Sequence, residues 1–345
     1  MQKREIIDII RSLDLNLKGR VVLTEAATGH YMVTPLIASL SGASKVFAFA
    51  KNTRYGTADF VFSQFQNIIK DFSIENISFT DHLTPAIISQ ADIITNSGHL
   101  RPLDRDKLQY VNAKAVISLM YEKWELREED IDIGFCKKNN IKVGATNERH
   151  KKIDVFSYLG DMAMKLIFDS GLCLYNNKFI LLCNNDFGPF IAKTLSKVCS
   201  ALGVIAPLKD KPKYMNLKVD WLSDFLTIKI PEDYKDSQAV VFTAYPFNEK
   251  WIGDESAPVP VKKIKEQLSS PLILRFAGDI DITIAQQNGL QYYPSDVKSG
   301  HMGILPSDIG LSPILRLQAG GLKVAECLLN GNDSFEGEMI VEKLF

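Results

Sequence analysis

The chain has 345 residues with 40 Lys and Arg against 41 Asp and Glu, so its net charge is −1, and 46% of its residues are hydrophobic. This balance excludes the basic surface typical of nucleic-acid binding or of attachment to anionic membranes. The length exceeds one ordinary core, so we expect two domains. Met1–Ile10 lacks the apolar stretch of a signal peptide and no later segment reaches the roughly 18 apolar residues of a membrane span, which predicts a cytoplasmic protein.

Strand and helix patterns alternate from Arg20 onward, which is typical of a parallel sheet covered by helices. Apolar segments of the first half predict strands at Arg20–Thr24, Lys45–Ala50, Asn76–Phe79, Ile93–Thr95, Ala115–Ser118 and Lys142–Ala145. Helical periodicity predicts helices at Thr34–Leu40, Thr57–Asp71, Pro85–Gln90, Asp104–Tyr110 and Glu128–Asn139. Thr34 before Pro35 is a favourable helix start, because a hydroxyl caps a helix and proline suits its first position.

The alternation continues after a polar boundary near Asn147–Asp154 and a long helix at Val155–Phe168. Strands are predicted at Phe179–Cys183, Val204–Ala206, Val240–Ala244, Leu272–Phe276 and Leu290–Tyr293. Helices are predicted at Pro189–Leu202, Val259–Leu268, Ile280–Asn288 and Pro313–Leu329, whereas Leu208–Lys235 fits neither pattern. The whole chain is therefore predicted to be α/β, with two Rossmann-like, doubly wound parallel-sheet domains.

The segment Leu182–Gly188 lies where a dinucleotide-binding turn would follow a strand. In such a turn the first glycine allows a tight bend, the second lets the pyrophosphate approach and the third packs helix on strand. Counting back from Gly188 puts Cys183 and Asn185 in the first two glycine positions. The packing requirement is kept, whereas the requirements for phosphate approach are not, and Asp186 adds a negative charge beside the expected phosphates.

The cysteines number five and show no metal-ligand spacing. They are Cys136, Cys173, Cys183, Cys199 and Cys327. An odd, scattered set in a cytoplasmic protein is expected to consist of buried reduced thiols, with no metal site.

The order of these elements resembles the D-2-hydroxyacid dehydrogenase and formate/glycerate dehydrogenase superfamily. Ala91–Thr95 is similar to the strand before the family's substrate loops, and Val155–Phe168 is similar to its connecting helix. Leu274–Asp279 is placed like the strand end that bears the family's catalytic arginine. Gly300–Gly303 is placed like the loop with its catalytic histidine, and Gln318–Gly331 like the helix that returns to the first domain.

The resemblance implies a discontinuous first domain and a cleft between two domains. Residues 1–150 and 305–345 would form a flavodoxin-like substrate domain, and residues 151–304 a Rossmann-type, nucleotide-binding-like domain. The family also suggests a homodimer. Ligands of such sheets bind outside the carboxyl ends of the strands, so the strand-end loops are expected to carry the site.

The resemblance assigns catalysis to Arg275 and His301. In the family an arginine orients the substrate carboxylate and a histidine exchanges the proton, for which imidazole is suited by its pKa of about 6.5. The family's glutamate before the histidine is missing here, and Asp296 is the carboxylate nearest to its place. The alternatives are an ion pair of Arg275 with Asp279 or Asp281, and a loop histidine without a role.

Substrate contacts are expected from polar residues after the strands of the first half. Loop histidines, arginines and tyrosines close together suit an anionic small molecule. The candidates are His30, Tyr31, Arg54, Tyr55, His99, Arg101, Tyr121 and Glu122, and the same strand-end groups contain Glu25, Thr28, Gly29, Gly56, Asn96 and Gly98. Each of them taken singly is also compatible with a surface or capping role. In place of the family's G-x-G loop stands Met120–Trp124, whose larger side chains predict a different substrate or a filled pocket.

The cofactor implied by the resemblance is NAD or NADP. Asn184, Asn185, Asp186, Phe187 and Gly188 would face the pyrophosphate, and Asp210 is the acidic residue nearest to the position that holds the ribose. The leading prediction is thus an oxidoreductase that acts on an anionic small molecule with NAD(P). Two alternatives remain open, namely a non-redox enzyme of condensation, elimination or group transfer, and a non-catalytic metabolite-binding protein.

Overall fold

The computed structural model describes residues 3–53 and 56–345. The chain divides into two compact units, one formed by residues 1–155 and 310–345 and the other by residues 156–309. Each unit is built on a mainly parallel sheet with helices between its strands. The predicted α/β class with two doubly wound parallel sheets is confirmed.

The first unit begins with alternating strands and helices. Its strands are β1 (Val21–Glu25), β2 (Lys45–Phe49), β3 (Ile77–Thr80), β4 (Ile93–Thr95), β5 (Val116–Ser118) and β6 (Lys142–Thr146). Its helices are α1 (Lys3–Ser12), α2 (Val33–Leu40), α3 (Ala58–Phe72), α4 (Pro85–Gln90), α5 (Arg105–Leu108) and α6 (Ile133–Lys138).

The starts of α6 and α2 differ from the predictions for identifiable reasons. The α6 helix begins at Ile133, not Glu128, because the Asp132 carboxylate caps it by accepting the Phe135 N–H at 2.8 Å. Thr34 does not cap α2, which begins one residue earlier after a 3₁₀ turn at Gly29–Met32. The Thr34 hydroxyl instead donates to Oε1 of Gln318 at 2.8 Å.

The second unit contains a six-stranded parallel sheet and a small three-stranded one. Its elements are α7 (Leu159–Asp169), β7 (Lys178–Cys183), α8 (Phe187–Leu195), β8 (Ala201–Ala206), β9 (Asp220–Asp224), β10 (Ala239–Thr243), β11 (Lys250–Gly253), β12 (Val259–Pro260), α9 (Val261–Gln267), β13 (Leu272–Ala277), β14 (Asp279–Ile280), α10 (Ile282–Gln287) and β15 (Gln291–Tyr293).

The region from α8 to β9 departs most clearly from the predictions. The helix predicted to end at Leu202 ends at Leu195, and Ala201–Ala206 forms a strand that pairs with β7. The unassigned segment contains β9, whose half-buried residues Trp221–Asp224 lie at the edge of the sheet. An edge strand lacks the continuous apolar run of a central one, which explains why no clear strand pattern marks this segment.

The C-terminal segment completes the first unit. It contains α11 (Leu311–Leu329), a short hairpin of β16 (Ser334–Phe335) and β17 (Glu338–Met339), and β18 (Val341–Lys343), which pairs antiparallel with β6. A Cβ atom at Gly321 would lie 2.4 Å from Sδ of Met120, so glycine is required where α11 crosses the end of β5. The Ser118 hydroxyl donates to the Gly321 carbonyl at 2.8 Å and fixes this crossing.

Both large sheets share one strand order. The order is β18-β6-β5-β4-β1-β2-β3 in the first unit and β15-β13-β10-β7-β8-β9 in the second. In each, the chain moves outward over three strands and then crosses back to the other side of the first strand. The carboxyl ends of β1 and β4, and those of β7 and β10, therefore form the switch points at which ligands bind in such sheets.

Candidate functional site

The switch point of the first unit is lined by Glu25, which ends β1, and by Asn96–His99, which follow β4. Glu25 is only 6% exposed, and its Oε2 atom accepts the backbone N–H of His99 at 2.9 Å. Burial raises the pKa of Glu25, and the nearby charges of Arg101 and Lys51 oppose that shift. A carboxyl group is thus held at the switch point with two cations near it.

His99 is fixed through its ring and its backbone. The backbone N–H of Lys51 donates to Nδ1 of His99 at 2.9 Å, so the neutral imidazole carries its proton on Nε2. Burial, followed by the charge of Lys51, lowers the pKa of His99. The ring is therefore neutral at pH 7 and presents Nε2 as a hydrogen-bond donor.

Arg101 is tied to the same loops. Its Nε donates to the Asn96 carbonyl at 2.9 Å, and its Nη1 lies 3.6 Å from Oδ2 of Asp130. Lys51 Nζ donates to the Arg101 carbonyl at 2.9 Å. The guanidinium also lies 5.0 Å from the centre of the Tyr121 ring, which holds its plane. The Arg101 side chain keeps 30% of its surface exposed, so part of the guanidinium group is accessible to a ligand.

A buried series of hydrogen bonds links the residues that contact Arg101. Asn96 Nδ2 donates to the Tyr121 hydroxyl at 2.8 Å, and that hydroxyl donates to Oδ2 of Asp130 at 2.9 Å. Burial raises the pKa of Tyr121, which therefore stays protonated. Within the described residues, Oδ1 of Asn96 is buried without a hydrogen-bond partner.

Glu122 lies in a separate, neighbouring hydrogen-bonded cluster and has a structural role. It is fully buried, and its carboxylate accepts the Trp124 indole N–H, the Glu148 backbone N–H at 3.2 Å and Nη1 of Arg149 at 3.4 Å. Burial raises the pKa of both Glu122 and Glu148. The Glu122 carboxylate is thus engaged by groups of the protein itself.

The structure therefore brings some of the predicted substrate residues together and not others. His99, Arg101 and Tyr121 form one network with Glu25 and Asn96. His30 is exposed and Tyr31 half-buried in the 3₁₀ turn before α2, whereas Arg54 and Tyr55 lie outside the described residues. Sequence analysis missed Lys51 and Asp130. Lys51 comes two residues after β2, and this position at a strand end was the available signal.

At the switch point of the second unit, asparagine side chains join the two strands. The Tyr245 backbone N–H donates to Oδ1 of Asn184 at 2.8 Å, and Nδ2 of Asn184 donates back to the Tyr245 carbonyl at 3.3 Å. Nδ2 of Asn185 donates to the Thr243 hydroxyl at 3.0 Å. The predicted cofactor residues Asn184 and Asn185 thus connect β7 to the end of β10.

The N-terminus of α8 has few free donors. Oδ1 of Asn185 accepts the Phe187 N–H at 3.1 Å, the Gly188 N–H faces the Asn185 carbonyl at 3.4 Å, and Pro189 has no N–H. Asp186 precedes the helix and pairs with Lys213 at 2.7 Å. Lys213 also pairs with Asp210 at 2.8 Å, so the predicted ribose acid is engaged as well.

Gly188 serves the packing of α8 on β7. A Cβ atom there would lie 2.2 Å from the Tyr214 hydroxyl and 2.5 Å from Sγ of Cys183. Sγ of Cys183 contacts the Tyr214 hydroxyl at 3.2 Å, and burial raises the pKa of Cys183 to about 12. Cys183 is therefore a protonated, buried thiol that occupies the position of the first glycine.

A dinucleotide pyrophosphate requires free backbone N–H groups and a close approach to the glycine turn. Here the first helical N–H groups are used or missing, the turn carries side chains, and Asp186 is negative. The residues of the 184–188 loop therefore do not fit that group.

Arg275 and His301 differ in their surroundings. Arg275 is 2% exposed, forms an ion pair with Asp279, and donates to the carbonyls of Gly278 and Val297 at 2.9 and 3.2 Å. These contacts correspond to the structural alternative for Arg275. His301 is exposed in its loop. Asp296 is exposed too and has no hydrogen bond or ion pair to another described residue.

Three further observations limit the chemistry. Among residues 3–53 and 56–345, no group of three or more His, Cys, Asp or Glu side chains is arranged to hold a metal ion. The helices described by the structure are too short or too polar to cross a membrane. None of the five cysteines is paired, and Cys136, Cys183 and Cys327 are buried as expected, but Cys173 is exposed and Cys199 only half-buried, contrary to the prediction.

Comparison with known proteins identifies the fold. No protein-family model and no curated protein sequence matches the chain. A dipicolinate synthase chain from Bacillus subtilis is similar with a TM-score of 0.59 and 12% identity, covering 92% of this chain and 99% of that one. The corresponding dipicolinate synthase chain from Bacillus halodurans gives a TM-score of 0.57 and 12% identity over 91% and 99% of the two chains.

A dehydrogenase is also among the similar structures. NAD-dependent formate dehydrogenase from Staphylococcus aureus has a TM-score of 0.47 and 10% identity over 94% of this chain and 99% of that one. The chain thus has the fold of the two dipicolinate synthase chains. At 10–12% sequence identity, a shared fold does not establish a shared activity.

Proposed function

We propose that this chain binds an anionic small molecule at the switch point of the first unit, which is then its substrate domain. One observation carries the proposal. Lys51 is hydrogen-bonded both to the His99 ring and to the Arg101 carbonyl, so donors from the loops after β2 and β4 are held around Glu25. A carboxylate or phosphate there would accept from Lys51 Nζ, His99 Nε2 and the exposed part of the Arg101 guanidinium.

Glu25 would define a second feature of the ligand. One of its oxygens accepts the His99 backbone N–H, and the group is largely shielded from water. A buried carboxyl group favours a ligand that places a hydroxyl or amino hydrogen beside it, because such a hydrogen bond offsets part of the cost of keeping the group out of water. A 2-hydroxy or 2-amino acid offers both the anion and that donor.

Calorimetric titration of the purified chain tests this proposal. The probes are inorganic phosphate, 2-hydroxy, 2-oxo and 2-amino carboxylates, and pyridine-2,6-dicarboxylate, the last because two neighbours of this fold are named dipicolinate synthase. For a probe that binds, Lys51→Met and His99→Gln should each raise Kd about 10-fold or more, since hydrogen bonds to charged groups contribute about 1.5–3 kcal/mol.

The matched control is Lys114→Met. Lys114 is an exposed lysine two residues before β5, on the side of the sheet where the parallel strands begin and opposite the switch point, and its loss removes the same charge. Equal effects of Lys51→Met and Lys114→Met would show that only the net charge matters and would contradict the proposed site. So would the absence of binding by every probe at millimolar concentration.

The second candidate is NAD(P)-dependent oxidation of a 2-hydroxy acid. The resemblance implies it, and the strand order of the second sheet, which is the order of dinucleotide-binding folds, favours it. The 184–188 loop, which does not fit a pyrophosphate, argues against it. The resemblance would then give His301 the proton transfer and leave Asp296 as the nearest carboxylate along the chain, whereas Arg275 is buried in its ion pair with Asp279. Turnover of NADH or NADPH with 2-oxo acids supports this candidate if His301→Ala abolishes it, and unchanged turnover in that variant contradicts the assignment.

A homodimer is part of either proposal, and the sedimentation mass should then be about twice the chain mass of 38.6 kDa.

A further inference from the structure

We infer that Asn184 and Asn185 close the switch point of the second sheet with their own amide groups, so that the 184–188 loop holds no dinucleotide. The two side chains form hydrogen bonds with three groups at the end of β10, the Tyr245 N–H, the Tyr245 carbonyl and the Thr243 hydroxyl. In a dinucleotide-binding sheet the pyrophosphate passes over this gap between strands. Here the gap is spanned by protein.

Asn185 also accepts hydrogen bonds from the backbone N–H groups that a phosphate would use. Oδ1 of Asn185 accepts the Phe187 N–H at the first position of α8, and the Gly188 N–H faces the Asn185 carbonyl. Pro189 offers none. A phosphate would have to displace Asn185 from this helix end, which would leave the amide without the partners that it now has.

The local charge also disfavours a bound pyrophosphate. Lys213, which contacts the loop, is shared between the carboxylates of Asp186 and Asp210. These two carboxylates and one ammonium sum to a negative charge beside α8. A pyrophosphate would meet repulsion where dinucleotide sites normally supply N–H groups and a positive helix end.

The loop therefore retains the strand and helix of a nucleotide-binding turn, with side-chain amides in place of the ligand. Gly188 is kept because Tyr214 and Cys183 leave no room for a Cβ atom. This inference does not rest on the anion site of the first unit. Carboxylate binding there and NADH binding here are separate measurements, so either proposal can fail alone.

Two measurements test the inference on the full chain. The first is titration with NADH and with NADPH, followed by calorimetry and by the thermal unfolding midpoint. A ligand at 100 times its Kd stabilises the folded state by about 2.7 kcal/mol, so a binder with a Kd of about 10 μM would raise Tm clearly at millimolar concentration. We expect no saturable heat and no rise in Tm. Saturable binding that is weakened by replacing Asp186 or Gly188 would overturn the inference.

The second measurement concerns the asparagine bridge itself. Asn184→Ala and Asn185→Ala should each lower Tm, because each removes hydrogen bonds that contribute about 1 kcal/mol apiece. The matched control is Asn248→Ala, since Asn248 is an exposed asparagine of the same unit whose side chain has no hydrogen bond to a described residue. If the bridge variants unfold at the same temperature as Asn248→Ala, the bridge does not hold the strands together and the inference fails.

Discussion

The backbone N–H of Lys51 donates to Nδ1 of His99 at 2.9 Å, and this one hydrogen bond selects the tautomer of the ring. Because Nδ1 accepts, the proton of the neutral imidazole must lie on Nε2. The contact joins the loops after β2 and β4, and the two residues are 48 positions apart in the chain. His99 is therefore oriented as a donor before any ligand arrives.

The first prediction concerns the titration of His99. Burial and the charge of Lys51 hold its pKa below the ordinary value of 6.5. Nitrogen-15 NMR of the ring should show the Nε2–H tautomer at pH 7 and a midpoint below 6.5, whereas the same residue in urea should titrate at the ordinary value. A ring protonated on Nδ1, or a midpoint above 6.5, would contradict the hydrogen bond from Lys51.

The second prediction concerns Glu25 and pH. Burial raises its pKa in the folded state above the ordinary 4.5, so the stability that goes with the protonated form is complete below pH 4.5 and is lost as pH rises through the folded pKa. The stability of Glu25→Gln relative to the wild type should therefore increase with pH from 4.5 upward and then level off. Urea unfolding at a series of pH values measures it, and a pH-independent difference would refute the assigned cause.

The third prediction concerns the ion pair of Arg275 and Asp279. Both side chains are almost fully buried, so Arg275→Ala leaves an uncompensated carboxylate and should lower the free energy of unfolding by about 3–5 kcal/mol. Lys250→Ala breaks the more exposed pair with Asp281 and should cost much less, because solvent screens an exposed ion pair. Comparable losses in the two variants, measured by urea unfolding, would show that Arg275 does not stabilise this strand end.

The fourth prediction concerns Gly188. Gly188→Ala places a methyl group against Cys183 and Tyr214 and should destabilise the fold by about 1–3 kcal/mol, the usual cost of overpacking. Cys183→Ala removes one of the two obstructing atoms, so the double variant should be more stable than the sum of the single effects predicts. Strict additivity in thermal unfolding would mean that the two residues do not compete for this space.

The fifth prediction concerns thiol reactivity. Cys173 is exposed, Cys199 is half-buried, and the other three cysteines are buried. A thiol reagent added to the native protein should label one cysteine rapidly, and Cys173→Ser should remove that fast phase. Rapid labelling of Cys183 would be inconsistent with its burial and with its pKa of about 12.

Sequence patterns alone determined the α/β class and most central strands, because a buried parallel strand is a continuous apolar run that needs no information from its neighbours. They also indicated that Gly188 is kept for packing. The edge strand β9 and the start of α6 escaped them. An edge strand is half-exposed, and a helix start depends on which side chain finally accepts its first N–H groups.

The tertiary structure decided which strand-end side chains meet. Lys51 and His99 lie in the loops after β2 and β4, Glu25 ends β1, and the strand order, which no local pattern reveals, brings them together. The same holds for Asn184, Asn185 and the end of β10. Seen in the sequence, the two asparagines are departures from a glycine turn. In the fold, these two asparagines bridge the ends of β7 and β10. Their hydrogen-bond partners lie 58 to 61 residues away in the chain, so sheet topology and not the neighbouring sequence determines these contacts.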